Sequence, residues 1–177
     1  MLAGRRVLLG VTGGISAYKS AHLARSLEAA GATVTVVMSE SATRFVGPDT
    51  FSALTSGSVH TSLWEGRGEV LHVRLAHEAD LVVVAPATAN LLAKVATGLA
   101  DDLLTAVLLE YRGDIVMAPA MHTGMWEHPA TQGNVETLRT RGVRFVGPES
   151  GPLAHGDEGV GRMAEPEEIV EEVASVL

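Results

Sequence analysis

The chain has 177 residues, a formal net charge of -8 and no cysteine. That length suits one domain with a real core, here expected to span residues 1–177. An acidic balance without a basic stripe argues against nucleic acid as the main partner, and the lack of cysteine excludes a disulfide framework or a thiolate metal site. The apolar run near the N-terminus is too short to span a membrane and lacks a signal-peptide layout, so no membrane partner is expected and a cytoplasmic protein is. Hydrophobic residues make up 46% of the chain but aromatics only 4%, a hint of surface buried between subunits.

Residues 6–11 (RVLLGV) read as a buried strand. A tight glycine turn, Thr12-Gly13-Gly14-Ile15-Ser16, opens a helix over 17–30 that Gly31 ends. Residues 33–38 (TVTVVM) form a second, β-branched strand. Strand, glycine turn, helix and strand make a βαβ unit with a parallel crossover. Free N–H groups at the helix start would attract a phosphate. The turn is neither a full dinucleotide fingerprint nor a Walker A loop. Ser39 and Ser41 could donate to that phosphate or cap a short helix at 42–45.

Residues 48–56 read as a short helix and 59–68 as irregular, with His72 just beyond. A lone histidine of this kind is more often structural than catalytic. LVVVA at 81–85 is the most strand-like run, followed by a small-residue loop, Pro86-Ala87-Thr88-Ala89-Asn90, and a helix over 91–98. Small residues there would let a flat ligand approach the backbone. Asp101 and Asp102 suit the start of a helix running to about Tyr111. Residues 115–118 (IVMA) form another buried strand that Pro119 is expected to stop. The loop beyond it carries Met121, His122, Met125 and Trp126 at the strand end where open α/β sheets bind ligands. A helix over 130–141, a strand over 143–146, a glycine-rich flap at about 147–162 and a final acidic helix over 166–177 complete the chain.

Four separated stretches carry a resemblance: VTGGISAYK at 11–19, ADLVVVAPATAN at 79–90, PAMHTGMW at 119–126 and GDEGVGRM at 156–163. In order and spacing the chain resembles the flavin-containing cysteine decarboxylases, most closely the phosphopantothenoylcysteine decarboxylase domain of coenzyme A biosynthesis. The resemblance implies a flavodoxin-like (Rossmann-like) three-layer α/β sandwich with a mainly parallel sheet, FMN as cofactor, and a homo-oligomer, trimer or dodecamer. It implies that Gly14, Ile15, Ser16 and Ser39 hold the FMN phosphate and that Pro86, Ala87, Thr88 and Ala89 lie against the ring system. It places the catalytic histidine at His72, serving a neighbouring subunit's flavin, and the substrate site at Asn90, Met121, His122, Met125 and Trp126.

The implied chemistry oxidises the substrate thiol so that loss of carbon dioxide leaves a stabilised enethiolate, with FMN carrying the electrons. His72 suits a general base at neutral pH. Two departures matter. His122 stands where the family usually has asparagine, and His155 stands where many of these decarboxylases carry a reducing cysteine. Either His155 supplies the proton or the reaction stops at the enethiol.

The implied activities are decarboxylation of 4'-phosphopantothenoylcysteine to 4'-phosphopantetheine, with a separate ligase as partner, or decarboxylation of a peptide's C-terminal cysteine to an aminoenethiol. An FMN electron carrier and a flavin prenyltransferase are less compatible with the loop at 119–126 and the flap.

Overall fold

The computed structural model describes residues 2–65, 69–153 and 156–177. His155 and Gly66-Arg67-Gly68 lie outside them. Six strands, β1 (Arg6–Val11), β2 (Thr33–Met38), β3 (Val59–His60), β4 (Leu81–Ala87), β5 (Ile115–Pro119) and β6 (Arg144–Phe145), form one sheet in the order β3-β2-β1-β4-β5-β6. Every pairing in it is parallel.

Alternation along the strands builds two cores. Val7, Leu9 and Val11 of β1, with Val83 and Ala85 of β4, face one side, while Leu8, Val82 and Val84 face the other. The first side is covered by α1 (Ala17–Ala29), α2 (Pro48–Leu54) and α8 (Pro166–Val176), through residues such as Leu23, Leu27, Phe51, Ile169 and Val173. The second is covered by α3 (Leu71–Glu78), α4 (Ala89–Thr97), α5 (Leu103–Glu110) and α7 (Pro129–Thr140). The result is the expected three-layer α/β sandwich. Among the described residues no helix is long and apolar enough to cross a membrane.

Four local readings change. Pro119 does not stop the ladder: β5 includes it, paired with Ala87 at the tip of β4. Residues 59–60, read as irregular, form edge strand β3 beside β2. Residues Thr123–Trp126, read as loop, form a short helix, α6. The glycine-rich flap forms an antiparallel hairpin of β7 (Glu149–Pro152) and β8 (Glu158–Arg162). The two aspartates behave as read: Asp102 caps α5 in a reciprocal box with Thr105, and Lys94 pairs with Asp101 at 2.8 Å.

Lys19 Nζ donates to Glu165 Oε1 at 2.8 Å, tying α1 to the first residue ahead of α8. The hydrogen bond from Lys19 holds the Glu165 carboxyl below its ordinary 4.5. With the folded value depressed, the tie is fully present above pH 4.5 and is lost as pH falls through the lowered folded value. The Glu165 side chain is 44% exposed, so Glu165→Gln is expected to cost no more than about 1 kcal/mol at neutral pH. That cost should vanish in urea melts run well below pH 4.5.

Candidate active site

The sheet reverses its direction of winding between β1 and β4. A crevice outside the carboxyl ends of two such strands is where doubly wound sheets bind ligands. The two tips are locked together by side-chain hydroxyls. Thr12, 3% exposed, donates from Oγ1 to the Pro86 carbonyl at 2.6 Å and accepts from Thr88 N–H at 3.3 Å. Ser20, one turn into α1, donates to the Ala85 carbonyl at 2.6 Å. Composition offered no sign of either anchor, because each reaches far along the chain.

Thr12→Val is therefore expected to leave the buried Pro86 carbonyl without a partner. The cost is about 1–3 kcal/mol, read as a lower midpoint in urea.

The glycine turn lies against this lock. A methyl group on Gly14 would sit 3.7 Å from Thr88 Cγ2 and 4.0 Å from Pro86 Cγ. One on Gly13 would meet Ser41 Cβ and Oγ at 2.5 Å, so only glycine admits the turn after β2 so closely. Ser39 and Ser41 share a hydrogen bond at 3.2 Å, and Ser39 Oγ accepts from Ala42 N–H at 3.3 Å, so Ser39 does cap while remaining beside the turn. Ser41 makes no side-chain cap. Among the described residues no acceptor meets the N–H groups of Gly14, Ile15 and Ser16. Converging N–H donors at the start of a 13-residue helix, with two serine hydroxyls alongside, fit a phosphate.

The loops after β4 and β5 form the adjoining wall. Ala120 N–H donates to the Ala87 carbonyl at 3.2 Å, which sets the 121–126 segment beside the Pro86–Thr88 tip. The Ala87 side chain is fully buried in the second core, and its carbonyl accepts from Ala120. Thr88 caps α4 by accepting from Leu91 N–H, Ala89 begins that helix, and Asn90 is exposed on its first turn. Met121 and Trp126 pack against the second core as anchors, whereas His122 and Met125 are exposed. His122 Nε2 lies 3.3 Å from Asp157 Oδ2 on the hairpin.

His72 is half-buried on α3, and among the described residues no hydrogen bond or ion pair joins it to these loops. Two cavities, of about 140 Å³ beside Arg6 and Leu75 and about 230 Å³ between Leu99 and Arg141, do not border the strand tips.

The Flavoprotein family model matches residues 1–177. The chain belongs to the Flavoprotein family. This flavoprotein is 54% identical over 169 residues to the coenzyme A biosynthesis bifunctional protein CoaBC of Mycolicibacterium smegmatis, covering 96% of this chain and 41% of that protein. It is 46% identical over 172 residues to CoaBC of Bacillus subtilis, covering 96% and 42%. The chain thus spans about two fifths of the length of these curated relatives.

Among solved structures, a PPC decarboxylase mutant complexed with pantothenoylaminoethenethiol superposes with a TM-score of 0.87 at 33% identity, covering 97% of each chain. The FMN-dependent cysteine decarboxylase SpaF superposes at 0.83 with 34% identity, covering 98% of this chain and 99% of that one. The unused N–H groups of Gly14, Ile15 and Ser16 are donors of the kind that fits the phosphate of a flavin nucleotide.

Proposed function

We propose that this chain is an FMN-dependent decarboxylase that converts 4'-phosphopantothenoylcysteine to 4'-phosphopantetheine. The observation that carries the proposal is the cradle at the β1–β4 switch point. There, Gly14, Ile15 and Ser16 offer unused N–H donors beside Ser39, against the Pro86–Thr88 tip. Relatives named for coenzyme A biosynthesis support this substrate.

FMN would supply the two-electron oxidation of the substrate thiol that makes carbon dioxide a feasible leaving group, and its reduced form would return the two electrons to the enethiol to give the saturated thiol. The chain's own residues bind and orient. Gly14, Ile15, Ser16 and Ser39 hold the phosphate, and Pro86, Ala87, Thr88 and Ala89 shape the wall beside the ring. His122 Nε2 donates a hydrogen bond to the substrate carboxylate, next to Asn90, Met121, Met125 and Trp126. His72 takes the thiol proton as general base at a neighbouring subunit's site. Exposed Ile15, Tyr18 and Val70 support a homo-oligomer, trimer or dodecamer, in which that sharing occurs. A cytoplasmic location and a ligase acting alongside follow from the same pathway.

A second reading is supported by the whole-length likeness to SpaF and by His155 standing where many coenzyme A decarboxylases carry a cysteine that helps protonate the enethiol. On that reading the substrate is a peptide ending in cysteine and the product an aminoenethiol. Incubating the purified protein with FMN and either substrate, followed by mass spectrometry, separates the two. Loss of carbon dioxide from 4'-phosphopantothenoylcysteine is expected. Loss only from the peptide would transfer the assignment to the second reading.

A further inference from the structure

The hairpin is fastened at its base. Met121 N–H donates to the Gly161 carbonyl at 3.0 Å, so β8 runs backbone against backbone along the segment that carries His122. A methyl group on Gly161 would collide with the Met121 carbonyl, and one on Gly159 with the Thr123 hydroxyl. Below this contact, Arg162 and Lys19 both reach Glu165, at 3.8 and 2.8 Å.

Towards the tip the fastening is of another kind. The Leu153 N–H bond to the Asp157 carbonyl, at 2.7 Å, sets the Asp157 backbone across the hairpin. Its side chain meets His122 Nε2 at 3.3 Å. An ionised carboxylate only accepts, so Nε2–H is the donor whatever the charge on the ring. Among the described residues Asp157 is the one acidic group in contact with His122.

We infer that Asp157 is an internal stand-in for the substrate carboxylate. It occupies the His122 donor in the free protein and is exchanged for the incoming carboxylate. This rests on the proposed reading, in which His122 receives that group. The exchange preserves charge, since one carboxylate leaves the imidazole as another arrives. It also replaces like with like, so a ligand lacking a carboxylate gains nothing from His122 and leaves the hairpin closed. Asp157 thereby tunes the affinity for acids, whose preference His122 provides, without touching the reacting atoms.

Magnitude supports the exchange. The two side chains are 48% and 68% exposed, and an ion pair so exposed favours the closed form by only about one- to fivefold. The apparent dissociation constant is the intrinsic one divided by the fraction of protein that is competent to bind. Removing the latch should then tighten binding of the acid by about two- to sixfold.

The test compares wild-type and Asp157→Ala protein, loaded with FMN, on 4'-phosphopantothenoylcysteine. KM should fall by about two- to sixfold, with the effect on KM rather than kcat. In a His122→Ala background, which offers no side-chain donor at this position, the same Asp157→Ala change should leave KM where it was. A KM that is unchanged or raised in Asp157→Ala overturns the inference, and so does an equal fall in the His122→Ala background.

A wild-type protein that does not turn over this substrate sinks the proposed function instead. The latch is then judged by titrating 3-mercaptopropionate while following the His122 ring by NMR. Half-saturation lower by the same factor in Asp157→Ala sustains it, and equal half-saturation overturns it.

Discussion

Replacing His72 by asparagine is expected to lower decarboxylation by roughly 10²–10⁴-fold while the flavin stays bound. The size follows from the role proposed for it, since a positioned general base is worth about that much in a transition state. Asparagine can keep a hydrogen bond but cannot accept and carry a proton near neutral pH. The fold should not suffer. Leu71, Leu75 and Ala76 supply the buried face of α3, and no described hydrogen bond depends on His72. Flavin absorbance of the purified variant and a single-turnover assay read the two halves of the prediction separately. Undiminished turnover would remove His72 from the mechanism. Lost flavin would instead place it among the cofactor's supports.

The pattern of what was legible in the sequence has a physical cause. Strands β1 and β2 are read to the residue because each is buried on both faces and bounded by glycine or serine turns. The glycine turn ahead of α1 is equally local, and a helix start leaves N–H groups free at its cap, Ser16. The prolines mislead because a missing N–H does not end a ladder whose bonds come from other groups. At a strand tip the Pro86 carbonyl accepts from Thr12, 74 positions away, and Pro119 pairs with Ala87 through the N–H of Ala120 that follows it.

The hairpin was hidden for a related reason. Gly159 and Gly161 look like loop composition, yet Gly161 admits the Met121 backbone and Gly159 the Thr123 side chain. Thr12, Ser20 and Asp157 act through partners 74, 65 and 35 positions distant, which no local pattern reports.

Converting Gly13 to alanine is expected to weaken flavin binding by roughly five- to 150-fold. The added methyl would lie 2.5 Å from Ser41 Cβ and Oγ and 2.8 Å from the Ser41 backbone carbon. A backbone atom cannot swing aside as a side-chain end can, so the whole turn from Ser39 to Ser41 must retreat. Overpacking of this kind costs about 1–3 kcal/mol, and here much of the adjustment falls on the geometry that brings Ser39 beside the Gly14–Ser16 donors.

Gly10→Ala is the matched control. Its methyl would meet Leu104 Cδ1 at 2.6 Å, the far end of a flexible side chain inside the second core. That change should lower the urea midpoint and leave flavin affinity near wild type. Fluorescence-quenching titrations of both apoproteins with FMN decide the matter. Equal affinities for Gly13→Ala and Gly10→Ala would mean that the close approach of the two turns serves packing alone, and that the phosphate is held elsewhere.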